Sequence, residues 1–303
     1  MKILITGSTG LVGHALVGEL RTAGHIVCRL IRPGTNKEAL RGNEGFDVGW
    51  NPATGELGAA AVGADAVVNL GGAPIAEGRW SAERKKVLRS SRVDTTRALV
   101  NALARMAARP RVLVSSSAVG FYGNRGDEIL SEESLPGNEF LSEVAKDWEK
   151  EAEKADALGI RVVRARFGVV LARDGGALPQ IARPFRFGVG GKIGSGKRWM
   201  SWISLEDVVA IMRFALENGE VRGAINLVSP QPVRNEEFTA ALAKVLHRPA
   251  LFPAPAFALR LMLGEMADAL LLSSQRVVPA QLEKLGYRFL RNDLTTTLGK
   301  LFS

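Results

Sequence analysis

The chain has 303 residues, enough for one large or two ordinary domains, and its 46% hydrophobic and 23% charged content is ordinary globular composition. A single cysteine, Cys28, excludes a disulfide framework and a cysteine-built metal site. His14, His25 and His247 lack metal-ligand spacing, so no metal is expected, and no apolar run reaches the roughly 18 residues of a membrane span. The net charge of +9 comes without an aromatic-interleaved basic stripe or a binding motif. It reads as a solvated surface or as a field for an anionic small molecule, and nucleic acid is not expected.

MKILITG enters a strand over residues 2–6 with no secretory signal pattern, and the expected location is cytoplasmic. A helix is predicted over 12–23, stopping at Gly24, and a second strand over 26–31. A third strand over 66–70 and a helix over 82–106 follow, then a strand over 111–115 that leads into SSSAVGFYG. The helix over 139–158 puts Leu141, Val144, Ala145, Trp148, Ala152 and Ala155 on one face, and Gly159 stops it before a strand over 160–166. These near-continuous Val/Ile/Leu runs fit a sheet covered on both faces, and their alternation with helices predicts parallel crossovers.

The texture changes after residue 170. Residues 174–198, rich in glycine and basic side chains, read as a lid, a binding loop or a plain connection. A helix over 205–217 and a strand over 224–228 follow, and from Gln231 onward the chain is helical and proline-punctuated. The expected fold is α/β: a Rossmann-like doubly wound parallel sheet over 1–170, to which 205–230 return. Residues 171–204 and 231–303 form a smaller, mostly helical C-terminal substrate domain.

The strongest motif is TGSTGLVG, Thr6 to Gly13, placed after the first strand and opening the first helix. Gly7 permits the tight turn, Gly10 admits a pyrophosphate to the backbone, and Gly13 lets the helix pack closely. Ser8, Thr9, Leu11 and Val12 complete the cradle, where free N–H groups and the helix dipole favour phosphate. An NAD site places an acidic residue at the end of the second strand, whereas NADP sites favour an arginine. Here Ile31 is followed by Arg32, whose guanidinium fork suits a 2′-phosphate, so NADP (NADPH) is the expected cofactor.

Together with ADAVVNLGGAPI, LVSSSAVGFYG, RARFGVVL and SWISLEDVV, this motif resembles an extended short-chain dehydrogenase/reductase of the NAD-dependent epimerase/dehydratase superfamily. FDVGWNPATGEL, FLSEVAKDWE, INLVSPQPVRNEEF and the C-terminal LFPAPAFALRLMLGEMADALL are similar to the atypical subgroup usually labelled "epimerase family protein". The resemblance covers nearly the whole chain. It implies a cofactor bed in which Asn69, Leu70, Gly71 and Gly72 line the dinucleotide. Ser115 and Ser116 end a strand beside the nicotinamide, and Phe167, Gly168 and Val169 pass near its carboxamide.

The same resemblance implies a catalytic serine, with a tyrosine and a lysine four residues apart. Ser117 matches the serine and Lys146 can be laid on the lysine, but the tyrosine position then falls at Ser142. Only two tyrosines exist: Gly126 stands four residues after Tyr122, and Arg291 four after Tyr287, so the pair is absent. Tyr122 is left as either a substitute acid or a structural turn residue. Asp127, Glu128 and Glu143 are further acids near the turn. Arg79 and Trp80 are candidates to face a substrate, while Trp202 and Asp207 read as packing and fixing residues.

Two functions remain open. One is an NADP(H)-dependent oxidoreductase or epimerase acting on a small substrate of unknown identity, with Ser117, Tyr122 and Lys146 as candidate catalytic groups. The other is a non-catalytic NADPH-binding sensor or interaction protein. No membrane partner is expected, and a homodimer is compatible with the sequence.

Overall fold

The computed structural model describes residues 1–35 and 46–303. Fourteen strands and ten helices are formed by the described residues. The strands are β1 (Lys2–Thr6), β2 (Ile26–Ile31), β3 (Phe46–Asn51), β4 (Glu56–Leu57), β5 (Ala66–Asn69), β6 (Val112–Ala118) and β7 (Ile129–Leu130), then β8 (Arg161–Phe167), β9 (Val169–Leu171), β10 (Trp199–Met200), β11 (Trp202–Ser204), β12 (Gly223–Leu227), β13 (Val233–Arg234) and β14 (Arg276–Val277). The helices are α1 (Leu11–Thr22), α2 (Ala82–Ala104), α3 (Phe140–Glu153), α4 (Leu178–Arg186), α5 (Leu205–Glu217), α6 (Asn235–Leu246), α7 (Ala256–Leu263), α8 (Glu265–Leu270), α9 (Ala280–Lys284) and α10 (Leu294–Phe302).

The main sheet has the order β12-β8-β6-β5-β1-β2-β3-β4, parallel except for the β3–β4 pair. Alternation along each strand sends side chains to opposite faces. Ile3 and Ile5 join Leu16, Leu20 and Met212 in one core, whereas Leu4 joins Leu99, Leu103 and Ala152 in the other. That two-sided burial explains why the strands read as unbroken apolar runs. The 205–230 segment lies with this unit: α5 carries Val208 and Met212 into the first core, and β12 pairs with β8.

A second group packs α4, α6 and α10 around Trp202, Phe238 and Leu298. Short pairs join the two parts of the chain, β9 with β11 and β7 with β14. Residues 174–198, read as loop, contain α4. Pro179 is tolerated in its first turn, and burial of Leu178, Ala182 and Phe185 holds the helix despite Pro184 near its end. Strand β3 escaped the reading of the sequence because only Val48 and Trp50 are buried in a segment otherwise rich in turn-forming residues. The strand read as 111–115 runs on to Ala118, so all three serines lie inside β6.

Candidate functional site

Strand β1 lies between β2 and β5, the point where the winding reverses and an open parallel sheet leaves a crevice at its carboxyl edge. The β1–α1 turn borders this crevice. Gly7 has φ +66°, and a Cβ there would stand 2.6 Å from the Leu70 carbonyl oxygen. A Cβ on Gly13 would strike the Gly7 carbonyl. Both glycines are therefore required by contact, and the β1 and β5 turns touch. Gly10 leads into α1 in extended conformation and, having no side chain, makes no cap bond of its own. The first-turn N–H groups at Leu11, Val12 and Gly13 are thus presented with the positive end of the dipole, next to exposed Thr9 and Gly10. This shape fits a dinucleotide diphosphate.

A polar frame holds the two turns together. The Thr6 hydroxyl donates to Asn69 Oδ1 at 2.8 Å and accepts from the Leu70 and Gly71 N–H groups at 3.0 and 3.1 Å. Asn69 Nδ2 donates to Thr96 Oγ1 at 2.8 Å and Ser115 Oγ at 3.2 Å, and Ser116 Oγ donates to the Asn69 carbonyl at 2.6 Å. The side chains of Asn69, Ser115 and Ser116 therefore shape the bed from within, while Gly71 and Gly72 form its surface. Arg32 stands just beyond β2, exposed, beside a surface depression of about 330 Å³ shared with Pro33, Gly34, Thr35, Asn51 and Pro52. The Thr35 hydroxyl and N–H close a turn on the Arg32 carbonyl at 2.8 and 3.2 Å. At the far end Gly168 bonds β12 through the Leu227 carbonyl. A Cβ on Gly168 would stand 2.6 Å from the Ser201 carbonyl oxygen, so Phe167, Gly168 and Val169 make a tight passage from β8 to β9.

The structure joins Ser117 and Tyr122 through residues the sequence did not single out. Ser117 Oγ donates to Glu149 Oε1 at 2.6 Å. Glu149 is also clamped by Arg166, at 2.8 Å from both Nε and Nη2, and by Arg164 at 3.1 Å. Arg166 Nη1 donates to the Tyr122 hydroxyl at 2.9 Å, and that hydroxyl donates to Asn226 Oδ1 at 2.7 Å. The Arg166 guanidinium also lies 3.6 Å over the Phe121 ring. Tyr122 has 0% exposure, and burial pushes its phenol from 10.0 up to about 12 against the opposing pull of Arg166. Burial works against the Arg166 charge, but the Glu149 carboxylate outweighs it and raises the guanidinium above its ordinary value. Glu132, raised by burial, accepts from the Asn226 and Gln281 N–H groups at 2.9 and 3.2 Å.

The Tyr122 hydroxyl is sealed from solvent and occupied on both sides. Ser117 is 2% exposed, with its proton committed to Glu149. Lys146 is not brought to either residue; it is exposed on α3 and pairs with Glu143 at 2.7 Å. Ser142, at the tyrosine position, is buried and donates to the Gly120 carbonyl at 2.9 Å. Asp127 pairs with Trp199 Nε1 at 2.6 Å and Arg234 at 3.1 Å, while Glu128 pairs with Arg125 at 2.6 Å. Trp80 donates to the Ile75 carbonyl at 3.0 Å and packs edge-on against Phe140; Arg79 lies against Gly264. Trp202 is fully buried, and Asp207, raised by burial, anchors the Leu290 and Arg291 N–H groups at 2.7 and 3.0 Å.

A signal for the missed network was present. RARF places two arginines in a core strand, which demands a carboxylate, and Glu149 falls on the apolar face of α3 between Ala145 and Ala152.

Comparison with known proteins places this geometry in context. The model of the NAD-dependent epimerase/dehydratase family matches residues 3–227, and that of a domain of unknown function (DUF1731) matches residues 254–301. Epimerase family protein Mb2239 of Mycobacterium bovis is 42% identical over 299 residues, covering 98% of this chain and 96% of the relative. Epimerase family protein YfhF of Bacillus subtilis is 38% identical over 304 residues, covering 100% and 98%. The crystal structure of human epimerase family protein SDR39U1 (isoform 2) with NADPH superposes with a TM-score of 0.88 at 31% identity, covering 100% of this chain and 99% of the human one.

Proposed function

The chain belongs to the NAD-dependent epimerase/dehydratase family, and we propose that it binds NADPH and transfers hydride to a small substrate without a side-chain phenol as acid. The observation that carries the nucleotide reading is the glycine turn at the switch point, closed by contact at Gly7 and Gly13 and followed across β2 by Arg32 rather than an acid. The human relative, whose structure is described with NADPH, supports the choice of nucleotide. Gly7 to Gly13 would hold the diphosphate, Arg32 the 2′-phosphate, Gly71 and Gly72 the adjoining ribose, and Phe167 to Val169 the carboxamide end. When bound, the reduced nicotinamide supplies hydride.

Ser117 is not available as a donor to the crevice, because its hydroxyl proton is held by Glu149. The proton for a reduced oxygen is then drawn from water or the substrate. Loss of a positioned general acid costs about 10²–10⁴-fold in rate, which leaves slow turnover accessible.

A second reading is favoured by the closed Ser117–Glu149–Arg166–Tyr122 network: a sensor that binds NADPH without turning it over. Single-turnover measurement of bound NADPH absorbance across a panel of carbonyl compounds separates the two. Oxidation by any member establishes transfer, whereas stoichiometric binding with no oxidation leaves the sensor. The nucleotide assignment has its own test. Arg32→Ala is expected to weaken NADPH about tenfold or more, as for loss of a charge-assisted contact, and NADH little. Equal weakening of both sinks the 2′-phosphate role.

A further inference from the structure

On α2, below the β5 turn, Arg92 stacks its guanidinium 5.5 Å from the Trp148 ring and donates to the Ala73 carbonyl at 3.0 Å and the Leu88 carbonyl at 3.0 Å. The Ser91 hydroxyl is a third acceptor at 3.5 Å. No carboxylate among the described residues pairs with it. A guanidinium carries more N–H donors than these three acceptors use. On the crevice side its cover is Gly72, where a Cβ would stand 3.3 Å from the Arg92 guanidinium carbon. Gly72 is exposed and has no side chain, so the cation lies close beneath the surface of the bed.

A second cation backs it. Arg84 reaches the Pro74 carbonyl and lies 3.3 Å from Glu77, which is 69% exposed. Its Nε is the only buried side-chain nitrogen or oxygen among the described residues without a hydrogen-bond partner. Burial, with the neighbouring charge of Arg84, pushes Arg92 down to about 10, so it remains charged at neutral pH. Two guanidinium groups thus sit under residues 72–77, and the one acid paired with either among the described residues, Glu77 beside Arg84, is solvent-exposed. Buried charges are ordinarily paired.

We propose that Arg92, backed by Arg84, is a binding residue for the diphosphate of the dinucleotide, the anion that completes this cation-rich floor. The inference rests on the reading that the crevice takes a dinucleotide, and it adds a determinant common to NADPH and NADH. Arg32 discriminates between the two nucleotides at the second ribose; Arg92 acts on the phosphates they share. The Asn69–Thr96–Trp148 hydrogen bonds, 2.8 and 2.9 Å, fix the ring on which Arg92 rests and thereby its height under Gly72.

The test is calorimetric titration of NADPH and NADH into wild type, Arg92→Met and Arg92→Gln at one ionic strength, with thermal melts of the unliganded proteins alongside. Arg92→Gln keeps a donor for the Ala73 carbonyl while removing the charge, so it reports on binding where Arg92→Met fails to fold. Both nucleotides are expected to weaken by the same factor, about tenfold or more, with selectivity unchanged. Wild-type affinity in either folded variant, or a loss confined to NADPH, overturns the role of Arg92 alone. A wild type that binds neither nucleotide overturns the dinucleotide reading with it.

Discussion

Tyr122 shows how burial decides the chemistry of a residue. A phenol serves as an acid or base near neutral pH only when a neighbouring cation lowers its pKa more than desolvation raises it. Arg166 is a neighbouring cation, 2.9 Å away, yet the phenol is still pushed up to about 12, because desolvation by burial outweighs the pull of Arg166. Tyr287, the other tyrosine, is raised further by burial and the Asp207 carboxylate. Spectrophotometric titration of the folded protein is therefore expected to show no phenolate transition near the ordinary value of about 10; one there would overturn the assignment. The folded pKa of Tyr122 lies above its unfolded value. Its contribution to stability is full below the unfolded value of 10.0 and is lost as pH rises through about 12. Tyr122→Phe is expected to cost about 1–3 kcal/mol in denaturant melts at neutral pH by orphaning partners of its hydroxyl, and to flatten the alkaline loss. Counting tyrosines established that the Tyr–Lys pair is missing. That Tyr122 is sealed was not legible, because its partners Arg166 and Asn226 lie 44 and 104 residues away in sequence.

At the scale of elements, α1 offers a matched comparison. Gly13 and Gly18 both lie inside it, where glycine ordinarily costs about 0.5–1 kcal/mol relative to alanine. A Cβ on Gly18 meets nothing within 4 Å, whereas one on Gly13 meets Ser8 Cα at 2.8 Å and crowds the Gly7 carbonyl. Gly18→Ala is thus expected to raise the melting temperature. Gly13→Ala is expected to lower stability by about 1–3 kcal/mol, as overpacking does, and to abolish nucleotide binding by displacing the turn. The same sign for both would contradict the close-packing role of Gly13. Residues 6–13 carried this assignment in their own order, since a strand–turn–helix forms from neighbouring residues. Helix α4 did not: prolines obscured it, and burial of Leu178, Ala182 and Phe185 against α6 and α10 stabilises it.

For the molecule as a whole, the proposed site draws on turns after β1, β2, β5 and β8, so a bound nucleotide would stabilise the sheet rather than one loop. A ligand at hundredfold excess over its Kd adds about 2.7 kcal/mol of stability. NADPH is expected to raise the melting temperature with concentration, and more than NADH at equal concentration; an unchanged melting temperature would count against the site. Sheet order, the two cores and the bridging of both parts by β7–β14 and β9–β11 belong to this scale. The sequence by itself determined the alternation of strands and helices, the glycine turn, the absence of an acid at the end of β2 and the missing Tyr–Lys pair. Each of these is a local pattern within a short window or a count. Only the tertiary structure decided that Ser117, Tyr122, Glu149 and Arg166 close on one another, and that Arg92 lies under Gly72. A buried charge finds its partner across the fold, wherever packing excludes water, and that distance is not written in neighbouring residues.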